Sequence, residues 1–345
     1  MVIKVGIIGC GKITQIRHIP EYTANPNAKI AGFYDINQAR AQELAAKHGC
    51  KAYESVEAML ADPEIDAISV CVANHVHAEI TIAALKAGKH VLCEKPMAVT
   101  RQECEDMVAA AKAAGKYLMI GQNQRLAKAH IKAKELIAQG AIGKVLTFRT
   151  TFGHRGPETW SVDPGKDTWF FDKTKAAMGA LADLGIHKVD VIQYMLGTRI
   201  TRAQAVLTTL DNRDSTGNFI GVDDNAVCLF QMEDGAVGTM TASWTYYATE
   251  DNTTVIYGTK GELRLYEDPK YSVVQIMAGG ERIEYETDQI QTNDHQTSTG
   301  IIDQFVESLV EDKQPEISGE SVLHSMKAVF ACIEASRTGR VVDVI

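Results

Sequence analysis

Val5-Gly6-Ile7-Ile8-Gly9-Cys10-Gly11-Lys12-Ile13-Thr14 is an apolar run that breaks on two glycines and then turns helical. A parallel strand buried on both faces reads as such a continuous run. Glycines at its end let the backbone turn tightly and approach a pyrophosphate at the N-terminus of the next helix. The third position of that fingerprint is Thr14 instead of glycine, so the match also fits an ordinary strand-to-helix turn, and the surrounding sequence decides. Downstream, the apolar runs Ile30–Tyr34, Ala67–Val72, His90–Cys93 and Tyr117–Ile120 alternate with amphipathic stretches, a pattern of parallel strands joined by crossover helices. Thr100 and Glu103 have capping-box spacing, and Gly88, Gly115 and Gly140 stand where helices end.

After Gly143 strand-like stretches follow one another directly: Val145–Phe152, Ile200–Leu210, Ala226–Met232, Ala236–Trp244, Thr253–Tyr257, Glu262–Tyr266, Val273–Met277 and Glu281–Glu286. Asp234-Gly235 and Gly279-Gly280 are hairpin signals between neighbours. Helices are expected over about 180–195, 300–311 and 319–336. The expected fold class is α/β, with a doubly wound parallel sheet over residues 1–122 and an α+β domain over 123–345 built on a large, mostly antiparallel open sheet. A chain of 345 residues exceeds one ordinary core, which fits two domains. A broad sheet with helices on one face leaves the other to solvent or to association, here expected as a homodimer or homotetramer.

Composition narrows the function. Hydrophobic residues at 45% and charged residues at 23% describe a soluble globular protein. A net charge of −9 argues against nucleic acid as the main partner. The seven cysteines form no Cys-x-x-Cys pair and sit mostly among apolar neighbours, as reduced thiols of a cytoplasmic protein do. Gly9, Gly11 and Lys12 interrupt any apolar stretch that would serve as a signal peptide or membrane span. A cytoplasmic enzyme or sensor, away from membranes, is expected.

Four residues carry chemistry. Asp35 follows the second strand, where a carboxylate accepts the adenosine ribose hydroxyls of NAD and repels a 2′-phosphate. Arg40, one turn into the next helix, leaves NADP open, and a helix N-cap is the other reading of Asp35. Lys95 follows His90–Cys93, at a strand's carboxyl end, where cofactor and substrate meet in a doubly wound sheet; the alternative is a solvated turn lysine. Asp183 and His187 are four residues apart, so on a helix they share a face and can share a hydrogen bond. A carboxylate there fixes the imidazole tautomer and supports a general base, whereas a surface ion pair or a core histidine is the plainer alternative. No third ligand lies nearby, so no metal is expected.

Taken together, Gly9-x-Gly11, Asn74-His75-Val76-His77-Ala78-Glu79, Glu94-Lys95-Pro96-Met97-Ala98, Gly121-Gln122-Asn123-Gln124-Arg125 and Asp183-x-x-Gly185-x-His187 resemble the glucose-fructose oxidoreductase, inositol dehydrogenase and rhizopine catabolism (Gfo/Idh/MocA) family over essentially the whole chain. The tail, with Pro315, Gly319-Glu320, Glu334-Ala335 and Ser336, keeps the family's order. The resemblance implies a Rossmann domain, an open-sheet domain and a nicotinamide dinucleotide between them. It gives Lys95 the contact to the reacting oxygen, His187 the acceptance of the hydroxyl proton and Asp183 the carboxylate beside it. Cofactor-lining positions are then Gly9, Gly11, Lys12, Ile13, Asp35, Val72, Asn74, His77, Glu94, Lys95 and Asn123. The chain departs from the family at Val72-Ala73, where Thr-Pro is commoner, and at Ala177-Met178-Gly179, where two glycines commonly precede the catalytic helix.

Between Phe152 and Asp183 lies a loop rich in polyol-binding groups, including His154, Arg155, Trp160, Asp163, Trp169, Phe170 and Phe171. His154, Arg155, Trp169 and His187 are the expected substrate contacts, although the aromatics also suit packing of a long loop; His295 is a further candidate. The expected activity is NAD-dependent, with NADP possible, and moves hydride between the cofactor and a secondary hydroxyl of a sugar, glycoside or inositol. Two alternatives are a dinucleotide-sensing regulator on the same scaffold and a glycosidase that uses bound NAD for transient oxidation.

Overall fold

The computed structural model describes residues 2–288 and 298–345. The first half alternates β1 (Ile3–Ile8), α1 (Ile19–Ala24), β2 (Ala28–Tyr34), α2 (Gln38–His48), β3 (Lys51–Ala52), α3 (Val56–Ala61), β4 (Ala67–Val70), α4 (His77–Lys86), β5 (His90–Cys93), α5 (Arg101–Ala114) and β6 (Leu118–Ile120). Their strands form one parallel sheet in the order β3-β2-β1-β4-β5-β6. The strand order reverses between β1 and β4, and a doubly wound sheet opens its ligand crevice at that point. Ile7, Ile8, Ile68, Val70, Val91 and Leu92 are buried, as strands covered on both faces require. The capping box on α5 is present in full, and Gly115 ends that helix in the left-handed conformation.

Next come α6 (Lys128–Ala138), β7 (Val145–Gly153), the one-turn helices α7 (Pro157–Trp160) and α8 (Lys173–Ala176), and α9 (Ile186–Leu196). Seven strands follow before the closing helices: β8 (Ile200–Thr208), β9 (Asn225–Met232), β10 (Val237–Ser243), β11 (Thr254–Gly258), β12 (Gly261–Leu265), β13 (Val273–Met277) and β14 (Arg282–Tyr285). Helices α10 (Ile301–Val310) and α11 (Gly319–Thr338) and the short β15 (Val342–Asp343) end the chain. The nine strands are ordered β14-β13-β12-β11-β7-β10-β9-β8-β15. Every described pairing is antiparallel except β7 with β10. Inward residues such as Cys228, Phe230 and Met240 are buried, while Val206, Val227, Leu229 and Val237 face outward and are exposed. Helices α6, α9 and α11 contact this sheet, whereas α10 contacts α1 and β1. The Ile120 amide donates to the Ile317 carbonyl at 3.0 Å, so the C-terminal segment also extends the edge of the first sheet.

The approach to α9 explains the departure at Ala177-Met178-Gly179. The Asp223 carboxylate accepts the amides of Gly179 and Leu181 at 2.8 Å each, and its carbonyl accepts Ala180 N–H at 2.8 Å. A Cβ on Gly179 would stand 1.8 Å from the Asp223 carbonyl oxygen, so that position admits only glycine. Ala177, in contrast, sits at φ +62° and ψ −36°, where a side chain is strained and glycine is free. Gly179→Ala is expected to cost about 3 kcal/mol in urea unfolding through the forced backbone shift. Ala177→Gly is expected to gain about 0.5–1 kcal/mol, the relieved strain less the entropy of glycine; a destabilised Ala177→Gly would refute the strain.

Candidate active site

The glycine loop closes against the loop after β4. Gly9 has φ +96°, and a Cβ there would lie 2.3 Å from the Cys71 carbonyl oxygen. Thr14, in the third fingerprint position, turns its hydroxyl back to donate to the Gly9 carbonyl at 2.6 Å. The space beside Gly11 is open, with nothing within 4 Å of an added Cβ. Gly11, Lys12 and Ile13 begin the helical segment that leads through a wide π-helical turn, Thr14–His18, into α1. Amides at a helix start have no intrahelical acceptor and carry the positive end of the dipole. Open space beside Gly11 at the start of a helical segment fits a dinucleotide pyrophosphate.

Asp35 Oδ2 accepts Cys10 N–H at 2.6 Å and Oδ1 accepts Asn37 N–H at 2.7 Å. The carboxylate is thus folded back toward the glycine loop. The N-cap of α2 is Asn37, whose side chain accepts Arg40 N–H at 3.2 Å, so the capping alternative for Asp35 is set aside. The Arg40 guanidinium is engaged by Asp163 at 2.7 and 2.9 Å.

Behind the strand ends lies a buried polar layer. Glu94 Oε1 is 3.0 Å from His18 Nε2 and 3.9 Å from Arg17, and Oε2 accepts Lys95 N–H at 3.2 Å. Burial opposes the charge on Glu94, but the His18 hydrogen bond and the cations of Arg17 and Lys95 hold its pKa down to about 2. Tyr22 Oη, 2.8 Å from Ser69 Oγ, and His18 Nδ1, 3.3 Å from the same oxygen, extend the layer. Arg17 and His18 escaped sequence reasoning; their only signal was two adjacent basic residues in the otherwise uncharged stretch Ile13–Pro20. The His77 ring nitrogens stand 2.7 Å from the Pro96 carbonyl and 3.0 Å from the Val72 carbonyl, so this buried ring braces two loops instead of lining a cleft with its side chain. Asn74 Nδ2 donates to the Ala176 carbonyl at 2.9 Å, joining the crevice to the second sheet's loop. Val72 and Asn123 are half-buried at the loop ends.

Lys95 crosses from β5 to the second domain. Its Nζ donates to the Asp183 carboxylate Oδ1 and to the Asp183 carbonyl, both at 2.8 Å, with the lysine side chain 16% exposed. Trp244 Nε1 donates to the other carboxylate oxygen at 3.0 Å. Burial alone would raise the Asp183 pKa, yet Lys95, His154 and Trp244 hold it below the usual carboxylate value. The expected Asp183–His187 hydrogen bond is therefore not what the structure holds: both carboxylate oxygens are taken, and His187 Nδ1 is buried with no hydrogen-bond partner. The cause is the wide turn over Leu181–Gly185 that precedes α9, which replaces ordinary i,i+4 geometry. Burial, and then the fields of Lys95, Arg17 and Lys188, push the His187 pKa well below its ordinary 6.5, which favours the neutral ring.

Two further groups were missed: Trp244, which read only as the end of a strand, and Lys188, which the sequence reading did not single out. Lys188 is fully buried; its Nζ donates to the Asn252 carbonyl at 3.0 Å, and burial pushes its pKa down to about 7.

Rings connect His187 to the loop. Phe152 lies 6.1 Å from His187 and 5.4 Å from His154; Trp160 lies 6.2 Å from His154 and 5.1 Å from Phe170; Trp169 stacks on Phe170 at 3.9 Å. His154 and Trp169 thus join His187 through one aromatic chain. Arg155 is set apart, exposed and donating through Nε to the Tyr247 carbonyl at 2.9 Å. His295 lies outside the described residues. Among the described residues no group of three or more His, Cys, Asp or Glu suits a metal ion, and no helix is long and apolar enough to cross a membrane.

Fold and site together define a two-domain oxidoreductase that works with a nicotinamide dinucleotide. The sequence matches the oxidoreductase family with NAD-binding Rossmann fold over residues 3–122 and the GFO/IDH/MocA C-terminal domain over residues 130–264, and the chain belongs to the GFO/IDH/MocA oxidoreductase family. It is 33% identical over 249 residues to a levoglucosan dehydrogenase of Pseudarthrobacter phenanthrenivorans, covering 66% of this chain and 63% of that enzyme. It is 29% identical over 261 residues to the myo-inositol 2-dehydrogenase of Thermotoga maritima, covering 75% and 74%. A solved levoglucosan dehydrogenase in complex with NADH and L-sorbose superposes over the full length of both chains with a TM-score of 0.88 at 28% identity.

Trp244→Phe keeps the ring and removes only the donor to Asp183. A lost hydrogen bond to a buried charge is worth about 1.5–3 kcal/mol, so kcat/KM is expected to fall at least about tenfold while NAD affinity, measured by calorimetry, stays constant. Unchanged kcat/KM would remove Trp244 from the site.

Proposed function

We propose that this enzyme reversibly oxidises a secondary hydroxyl of a cyclic polyol or pyranoside, with His187 as proton acceptor, Lys95 as the cation on the reacting oxygen and Asp183 as the carboxylate that orients Lys95. The observation that carries the proposal is the Lys95 ammonium held 2.8 Å from Asp183 at the strand end where the crevice opens, beside an imidazole kept neutral by its surroundings. A neutral buried imidazole accepts a proton directly, and positioned proton transfer contributes about 10²–10⁴-fold. A preorganised ammonium stabilises the negative charge that develops on the oxygen as the proton leaves, with no reorganisation at that moment. Bound NAD supplies the hydride acceptor.

In this assignment Gly9, Gly11, Lys12 and Ile13 hold the pyrophosphate, Asp35 the adenosine ribose, and Val72, Asn74 and Asn123 border the nicotinamide half, while Glu94 and His77 support the loops from behind. Asp35 favours NAD over NADP by charge repulsion. His154 and Trp169 belong to the substrate pocket, where aromatic faces beside hydrogen-bonding groups suit a sugar ring. That relatives act on levoglucosan and myo-inositol supports a cyclic polyol or pyranoside for this chain. We place the domain division at residues 1–122 and 123–345. The outward Val206 and Val227, paired across β8 and β9, with Leu229 and Val237 beside them, support a homodimer or homotetramer through this sheet. The seven free thiols support a reducing cytoplasm.

A spectrophotometric screen at the NADH absorbance band, with inositols, glucose, glucosides and anhydrosugars, tests the activity; binding of NAD with no reduction by any member would overturn net dehydrogenation of this class. Lys95→Ala is expected to lower hydride transfer by at least about 10³-fold while NAD still binds, and near wild-type turnover would sink the mechanism. Because the His187 pKa is depressed in the fold, its base form persists as pH falls, and the acid limb of kcat/KM for oxidation is expected well below pH 6.5. The same depression makes protonation of the unfolded chain more favourable, so this residue erodes stability as pH drops below 6.5. An acid limb at or above that value would exclude His187 as the free base.

A further inference from the structure

Near the expected adenosine end of the crevice, one cation is committed to a partner from the other half of the chain. Arg40 stands on the first turn of α2, five residues past Asp35. Its Nη2 donates to both carboxylate oxygens of Asp163, at 2.7 and 2.9 Å. The arginine side chain is 18% exposed and the aspartate 76%, so Arg40 lies against the protein and Asp163 reaches in from solvent. Asp163 belongs to the loop between α7 and Trp169, and its carbonyl accepts the Ser161 hydroxyl at 3.0 Å.

A guanidinium recognises phosphate oxygens with the same donors it offers a carboxylate. Arg40 is the cation placed to meet a 2′-phosphate on the ribose beside Asp35, and in the fold that role is already filled by Asp163. We infer that Asp163 is a specificity-determining residue, which excludes NADP by holding Arg40 away from a 2′-phosphate. The inference rests on the placement of the adenosine ribose at Asp35. Discrimination is then divided: Asp35 repels the phosphate directly, and Asp163 withholds the cation that would offset the repulsion. The aromatic loop that carries Trp160 and Trp169 is thereby fastened to the dinucleotide domain.

Isothermal calorimetry with NAD⁺ and NADP⁺ on the full-length protein tests this without turnover. Asp163→Asn removes the charge of an exposed side chain and is expected to fold normally, with an unchanged thermal transition. An exposed ion pair is worth up to about a fivefold change in an equilibrium constant, so Asp163→Asn is expected to tighten NADP⁺ by about fivefold while leaving NAD⁺ within twofold. Adding Arg40→Ala to Asp163→Asn is expected to abolish that gain. An NADP⁺ affinity unchanged by Asp163→Asn, or a gain that survives the loss of Arg40, would overturn the inference. Asp35→Ala tests the underlying placement separately: undiminished NAD⁺ affinity would defeat the ribose assignment, while the Arg40 and Asp163 comparison would still report whether the pair controls phosphate.

Discussion

The contact between Lys95 and Asp183 is the constraint around which the two halves of the molecule are arranged. Each charge leaves water to reach it, a cost that a buried pair recovers only when geometry is good and the remaining polar atoms are satisfied. Here the ammonium meets a carboxylate oxygen and a carbonyl, and the second carboxylate oxygen meets Trp244. Neither partner is free to drift. The Lys95 amide is tied to Glu94, which is itself held by His18. The turn that carries Asp183 is tied down by Asp223 at its start. Further along α9, Asp190 takes a two-pronged buried bond from Arg125 at 2.6 and 2.7 Å and a third from Ser325. Two independent frameworks thus converge on one ion pair.

The surrounding charge explains the state of His187. Lys95, Arg17 and Lys188 all direct positive potential at it, and the nearby carboxylates Glu94 and Asp183 are already paired. Such a neighbourhood is poor for an imidazolium and good for an oxygen acquiring negative charge. Low dielectric sharpens both effects together. An imidazole hydrogen-bonded to a carboxylate gains basicity, whereas burial and the surrounding cations hold the pKa of this ring down, so that in the proposed mechanism it depends on the cationic pocket to make the substrate hydroxyl more acidic. The division of labour shifts from the base toward the cation.

Much of this was legible in the sequence because it is local. Apolar runs, the capping box at Thr100 and Glu103, and the helix-ending Gly115 depend on neighbours a few residues apart, and they fixed the parallel sheet and its glycine loop. The antiparallel strands were legible from the direct succession of strand-like stretches and from Asp234-Gly235 and Gly279-Gly280. What escaped depends on separation or on small deviations. β3 is two exposed residues with no apolar signature. The parallel pairing of β7 with β10 joins segments far apart in sequence, and so does the bond from Trp244 to Asp183. Arg40 and Asp163 were each noticed, but no pattern in the chain couples residues 123 positions apart.

The misjudged contact between Asp183 and His187 has the most general lesson. Both helical segments that face the crevice begin with a wide turn: Thr14–His18 ahead of α1, and Leu181–Gly185 ahead of α9. Such turns sacrifice regular hydrogen bonding and gather at functional sites. In the first, the turn brings His18 to Glu94 directly behind Lys95. In the second, it turns Asp183 toward Lys95 and Trp244 and away from His187. Regular helical spacing would have let Asp183 occupy the imidazole, leaving Lys95 without its anchor and raising the basicity of His187. The irregular turns therefore separate two contacts that a regular helix would merge: Asp183 holds Lys95, and His187 Nδ1 is left without a hydrogen-bond partner.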